Sequence, residues 1–363
     1  RNFRTGSNLG PAAVSKETLS LLSKEIDGFA ADGKRSDQRL ATLAKASAPS
    51  RELLLEKARE LEARAEDMRQ LTRDIELQEV ATGLTEELGK KDIDLFRAGL
   101  HIARIDDPDL DFDYYVELFD RLTEEARETV NKNPDDTKPI DDREKVRRLS
   151  AFLFGESGFH GSRSEYYHPG NSYLNEVLEY REGLPITLSV IFIEVAHRLG
   201  IKGVEGIPLP GHFLVGHRDG KAEPPLALID VYDGGKMISR KEAEDLAWSV
   251  TRSFPTPRSF DASPPKDVIV RMLRNLIGID MQDRRPQDAM PYIELVLAIS
   301  PEEGDERFQR ALLRAQKKDI DGAKVDLDWL LEHRPPGGID YNRLQFFRDQ
   351  LDSETPSSLD AAK

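Results

Sequence analysis

Three positions in the middle of the chain combine residue type and setting in a way that suits proton transfer. His212 follows Gly211 at the start of an extended segment, Asp230 lies in the next such segment, and a strongly apolar helix opens at Pro185. A histidine steered by an aspartate on a neighbouring strand activates a nucleophile. A helix N-terminus favours the thiolate or oxyanion that results. The thiol itself is missing, because the chain contains no cysteine. That also removes disulfides and zinc–thiolate sites. Thr187 and Ser189 are the hydroxyls on the opening turns of the helix, and a hydroxyl needs a well-placed base to attack. Thr187 sits in the first turn, where it could equally serve the backbone, and Ser189 points elsewhere around the helix. The catalytic candidates are therefore His212, Asp230 and Thr187. The competing reading is that His212 donates to Asp230 only to hold the sheet.

A loop rich in Gly, His and Tyr runs from Glu156 to Gly170. Tyr167 and His168, with His160 and Tyr166 beside them, are expected to border the same cleft. Asn171 and Asn175, at the start of the next helix, complete the cleft-lining candidates. No His-Glu-x-x-His spacing occurs, so no metal and no other cofactor is expected. The alternating aspartates of 106–113 lack the glycine and closing glutamate of a calcium loop, and they read as helix caps.

The elements that must position these residues can be read from periodicity. Helical stripes are expected over Ser15–Ala31 (Leu19, Leu22, Ile26, Phe29) and, on either side of the acidic stretch, between Ile93 and Val130. Ala46–Ser50 reads as a turn. Beyond it Leu54, Ala58, Leu61, Ala65, Met68, Thr72 and Ile75 alternate by four and three, a heptad seam that marks a long helix packing on another. Asn171-Ser172 starts a short helix closed by Gly183, and Pro185 takes a first-turn position in a helix that runs to Leu199. Val204–Leu209, His212–His217 and Leu226–Tyr232 then read as three antiparallel strands. After Pro265 helices return with a 34-residue repeat: Ala289 matches Ala323, Leu295 Trp329, Leu297 Leu331 and Pro301 Pro335. That is a tetratricopeptide-like signature.

Several blocks carry a family resemblance, in order. They are Leu153-Phe154-Gly155-Glu156-Ser157-Gly158-Phe159, Asn171-Ser172-Tyr173-Leu174-Asn175-Glu176-Val177-Leu178, Gly183-Leu184-Pro185-Ile186-Thr187-Leu188-Ser189, Arg198-Leu199-Gly200 and Gly211-His212-Phe213-Leu214-Val215. Together they resemble the SirB-like branch of the transglutaminase-like proteins over residues 92–235. The resemblance implies an α+β, papain-like core with a small antiparallel sheet and C-terminal tetratricopeptide-like helices. In catalytic members a cysteine opens the buried helix, with histidine and aspartate on the following strands. His212 and Asp230 take the latter two places by resemblance. The cysteine position falls within Pro185–Thr187, a departure typical of the branch, and the branch carries no defined activity with it.

Composition bounds the partners. Of 363 residues, 67 are acidic and 52 basic, a net charge of −15 that argues against nucleic acid and anionic membrane surfaces. No apolar run approaches the length of a membrane span. The chain opens on Arg1 rather than Met, which is read as loss of an N-terminal piece, so cytoplasmic and exported locations both stay open. The expected organisation is a helical extension over 1–85 with a loose 1–14, the transglutaminase-like domain over 86–262, helical repeats over 263–350 and a fraying tail over 351–363. The expected function is a non-catalytic or weakly catalytic module that binds a protein or peptide through its cleft and repeat helices. The alternatives are a hydrolase or acyl-transfer enzyme using His212 and Asp230 with Thr187 or water, and a homodimer formed through the 54–75 helix.

Overall fold

The computed structural model describes residues 16–132, 139–218, 220 and 227–354. Its described elements divide between a unit ending at Ile75 and a unit starting at Glu76. The expectations for residues 1–14 and for the chain beyond Glu354 lie outside the described residues.

The first unit contains α1 (Lys16–Asp32), α2 (Asp37–Ala44) and most of α3 (Ser47–Leu88). The Ser36 hydroxyl accepts the Arg39 N–H and caps α2. The Arg39 guanidinium reaches back to Asp32 and Glu25 on α1. Leu22 and Ile26 are buried as the stripe on α1 requires. The turn expected at Ala46–Ser50 is instead the first turn of α3. Pro49 is tolerated there because first-turn N–H groups have no helical acceptor. The heptad stretch forms one continuous helix, yet Leu61, Met68 and Ile75 are 41%, 69% and 53% exposed.

In the second unit come α4 (Leu95–Ala103), α5 (Phe112–Val130) and α6 (Asp142–Ala151), which runs into a π-helical turn at Phe152–Glu156. Asp94, Asp111 and Asp141 cap these three helices through their carboxylates. Two-residue strands β1 (His160–Gly161) and β2 (Glu182–Gly183) pair in parallel around α7 (Leu174–Tyr180). Next is α8 (Pro185–Arg198), in which every residue from Pro185 to Ala196 is buried. A helix buried on all sides sits at the centre of its domain. Residues on neighbouring elements meet it from several directions, and each fully buried Leu or Ile contributes roughly 1.5–3 kcal/mol.

A four-stranded antiparallel sheet follows, in the order β3 (Val204–Ile207), β4 (Leu214–His217), β5 (Ala227–Asp230) and β6 (Lys236–Ile238). Val204, Val215 and Ile229 belong to the main core with α8. Ile207, Leu214 and Leu228 form a second small core with Ala243 of α9 (Arg240–Thr251) and Phe260. The period-2 alternation thus buries both faces, one on α8 and one on α9. The reading of three strands missed β6 and α9. β6 is three residues long and largely exposed, too short for alternation to show.

The remaining helices are α10 (Pro265–Gln282), α11 (Met290–Ile299), α12 (Gly304–Gln316), α13 (Ile320–His333) and α14 (Tyr341–Glu354), each packing on the next. α10 and α11 contribute to the main core. Leucines and alanines of α12, α13 and α14 make a separate cluster. The repeat-matched Ala289 and Ala323 are fully buried. α14 continues past Gln350, where the helical repeats were expected to stop. The architecture is α+β with helical flanks.

Candidate functional site

Asp230 ends β5, and the following turn folds back so that Gly235 N–H donates to the Asp230 carbonyl at 2.9 Å. This leaves the carboxylate at the rim of the sheet, where Oδ1 accepts from the backbone N–H groups of Tyr232 (3.1 Å) and Asp233 (3.2 Å). The same oxygen lies 3.0 Å from His212 Nε2. Burial pushes the Asp230 carboxyl up. The His212 hydrogen bond and charge, with the two backbone donors, outweigh burial and leave the pKa below the ordinary value of 3.8. An ionised Asp230 accepts from Nε2–H, so a neutral imidazole keeps its lone pair on Nδ1. Among the described residues no group hydrogen-bonds Nδ1.

His212 is delivered by a tight bend before β4. Gly211 has φ +70°, and a Cβ there would come within 2.6 Å of Val250 Cγ1 on α9. Glycine is therefore required on two counts. His212 N–H donates to Leu209 O at 3.2 Å. From α10, Arg271 Nη2 donates to the carbonyls of Leu209 (3.0 Å) and His212 (2.7 Å), while its guanidinium lies over the Phe213 ring. Nothing in the local sequence pointed to Arg271, which reads simply as one polar position on an amphipathic helix.

The dyad opens on a cleft of about 920 Å³ lined by Arg163, Tyr166, Tyr167, Pro185, Gly211, His212, Asp230, Tyr232, Asp233, Leu246 and Val250. Its aromatic wall is a relay of edge-on rings: Tyr167 to Tyr166 at 5.1 Å, Tyr166 to Tyr232 at 6.1 Å, and Tyr232 to His212 at 6.1 Å. Tyr232 also donates its hydroxyl to Ser162 O. The opening residue of α8 at this cleft is Pro185, which has neither a nucleophilic side chain nor an N–H.

Thr187 and Ser189 are fully buried. Thr187 Oγ1 accepts Leu184 N–H at 2.9 Å and lies within bonding distance of the carbonyls of Asn171 (2.9 Å) and Leu184 (3.1 Å). Ser189 donates to Pro185 O at 2.7 Å. Both hydroxyls therefore serve the backbone at the helix start, and neither is hydrogen-bonded to the imidazole.

The cleft candidates separate. Tyr167 lines the dyad cleft, whereas His168 and Asn171 line a second cavity. Asn171 Nδ2 donates to Glu165 O at 2.7 Å and so braces the loop between the two. Asn175 is buried, with no partner for Oδ1 among the described residues. His160 is exposed on β1 and lines neither cavity. The aspartate-rich stretch is structural: Asp111 caps α5, and Asp106 accepts from the hydroxyls of Tyr173 (2.6 Å) and Tyr292 (2.9 Å). Among the described residues no group of three His, Asp or Glu side chains is placed to hold a metal ion.

Comparison with known proteins decides the family. A UPF0162 protein of Xylella fastidiosa is 32% identical over 246 residues, which cover 66% of this chain and 84% of the relative. The chain belongs to the UPF0162 family. Residues 113–274 of this UPF0162 chain match the family profile described as transglutaminase-like superfamily. The protein SirB1 of Salmonella typhimurium is 27% identical over 229 residues, 62% of this chain and 80% of SirB1. The UPF0162 chain is thus a SirB-like, transglutaminase-like protein. Human F-box only protein 21 is 30% identical over 176 residues, 46% of this chain and 27% of that protein. Among the described residues, no helix is long and apolar enough to cross a membrane.

Proposed function

We propose that the chain is a non-catalytic binding module whose dyad cleft takes a peptide or an extended protein segment. The observation that carries this is the opening of α8: Pro185 lines the same cleft as His212, and the neighbouring hydroxyls of Thr187 and Ser189 are consumed by backbone carbonyls. The cleft otherwise offers aromatic faces with polar tips, from Tyr166, Tyr167 and Tyr232, beside apolar Leu246 and Val250. Such rings give contact area at low entropic cost and hydrogen-bond at one end. The repeat helices from 263 to 350, read as tetratricopeptide-like, add a second surface for the same partner. The test is selection of a random peptide library on the full chain, followed by polarisation binding of the selected peptides. Tyr167→Ala, an exposed substitution, is expected to weaken binding about tenfold. Selected peptides that bind Tyr167→Ala unchanged would overturn the cleft assignment.

A second reading is favoured by one observation: the imidazole is oriented by an ionised carboxylate and has its Nδ1 free of described partners. Water activated at His212 would make the protein a slow amidase or esterase. An amide and ester hydrolysis screen in which His212→Ala leaves the rate unchanged removes that reading.

A further inference from the structure

The loop from Ser162 to His168 is a partition with different chemistry on its two sides. Arg163, Tyr166 and Tyr167 face the dyad cleft, while Ser162, Ser164, Glu165 and His168 line the second cavity, of about 330 Å³. Its remaining wall comes from Gly170, Asn171, Glu176, Tyr180 and Glu182. Three carboxylates thus surround one cavity, and Glu165, Glu176 and Glu182 have no ion-pair partner among the described residues. Two of them, Glu176 and Glu182, are partly buried. Glu176 Oε2 lies so close to the backbone that a Cβ on Gly170 would meet it at 2.2 Å.

A second, independent feature points to a ligand. Ser162 is fully buried, its N–H is spent on Gly183 O and its carbonyl on Tyr232, yet its hydroxyl has no partner among the described residues. Buried hydroxyls are ordinarily satisfied. The carboxylates are spread around the wall and do not converge as metal ligands do. A spread of acceptors suits a cation that carries several donors, such as an ammonium with three or a guanidinium with five.

We infer that this second cavity is a subsite for the basic side chain, lysine or arginine, of a peptide bound across the loop. The inference rests on the peptide-binding reading of the dyad cleft and deepens it. Tyr232 of the dyad cleft donates its hydroxyl to the carbonyl of Ser162, which lines the second cavity, so the two cavities are neighbours that one ligand can span. The chain's net charge of −15 favours a basic partner in the same sense.

The experiment titrates the isotopically labelled full chain with N-acetyl-lysine methylamide, N-acetyl-arginine methylamide and uncharged N-acetyl-norleucine methylamide at low ionic strength. The amide resonances of Gly170, Asn171 and Glu182 report occupancy. One or both cationic probes are expected to shift them saturably, and their relative affinity separates lysine from arginine. Norleucine should not shift them. Glu182→Gln should weaken the cation by up to about fivefold, and Glu165→Lys, at an exposed position that leaves folding undisturbed, should abolish the shifts. Absence of saturation with both cations, equal shifts from norleucine, or unchanged titrations in both variants overturns the subsite. These small probes do not need the aromatic cleft. A silent titration alongside Tyr167-dependent peptide binding removes only the subsite, and a positive titration without peptide binding removes only the cleft reading.

Discussion

Arg271 Nη2 donates to the main-chain carbonyl of His212 at 2.7 Å, so the residue carrying the imidazole is held by α10 from outside the sheet. The same nitrogen reaches Leu209 O at 3.0 Å, closing the bend that Gly211 makes possible. Burial pushes the guanidinium pKa down, and the two carbonyls offset the cost of placing a charge there. Arg271 is a positioning residue for the dyad.

Arg271→Met keeps the contact with Phe213 but removes the side-chain donor from the His212 carbonyl and leaves the Leu209 carbonyl with only the His212 N–H. Loss of about 1–3 kcal/mol of stability is expected, read as a lowered midpoint in urea with unchanged slope. The His212 ring resonances should broaden or shift as the bend loosens. A variant with wild-type stability and unshifted His212 resonances would remove the positioning role.

Asp230 has a folded-state pKa below the ordinary 3.8. A depressed carboxyl contributes stability that is present above its unfolded value and is lost as pH falls through the folded value. Asp230→Asn should therefore cost most at neutral pH. The gap to the wild type should narrow below about pH 4. Urea titrations at pH 7 and near pH 3 check this, and a constant gap would show that the Asp230 charge does not matter.

Glu194, buried within α8, behaves in the opposite way. Burial and the nearby Asp94 charge push its pKa up to about 8, although it accepts the Leu95 N–H at 3.1 Å. A raised carboxyl binds its proton more tightly in the folded state, so stability falls as pH rises from the ordinary 4.5 towards 8. Glu194→Gln retains an oxygen for Leu95 N–H and has no charge to bury. It should be the more stable protein at pH 8, by on the order of a few kcal/mol, and should lose that advantage near pH 5. Parallel wild-type and variant pH profiles would refute the buried-charge account.

How much of this was legible in sequence depends on the range of the interaction. The all-apolar face of Leu188, Ile191, Phe192 and Val195 marked α8 as central, and Gly211-His212 and Asp230 could be placed on adjacent strands from alternation alone. β4 begins only at Leu214, however, so the 3.0 Å pairing of His212 with Asp230 rests on the Gly211 bend as well as on the β4–β5 register. Arg271 was invisible because its acceptors lie about sixty positions away and are backbone atoms that no residue type announces. The three glutamates of the second cavity were equally hidden, since the β1–β2 pairing brings distant loop and strand positions together. The heptad seam predicted α3 correctly as a long helix, but spacing alone does not say whether a partner covers it.

The absence of cysteine makes one substitution unusually informative. Pro185→Cys places a single thiol in the chain at the first turn of α8, in the cleft that His212 lines. Proline contributes no N–H at this position, so the helix keeps its hydrogen bonds. If the dyad holds the geometry of a working acid–base pair, the helix N-terminus and the imidazole together should lower the thiol pKa below the usual 8.5 or so. Alkylation by iodoacetamide at pH 6.5 should then run about tenfold faster than for a free thiol, and adding His212→Ala should return it to the free-thiol rate. Equal rates in the single and double variants would mean that the imidazole does not address the helix N-terminus, and the dyad would then be a brace for the β4–β5 edge. A His212-dependent rate would show that the site lacks only its nucleophile. It would also make Pro185, not the dyad, the residue that separates this chain from a thiol enzyme.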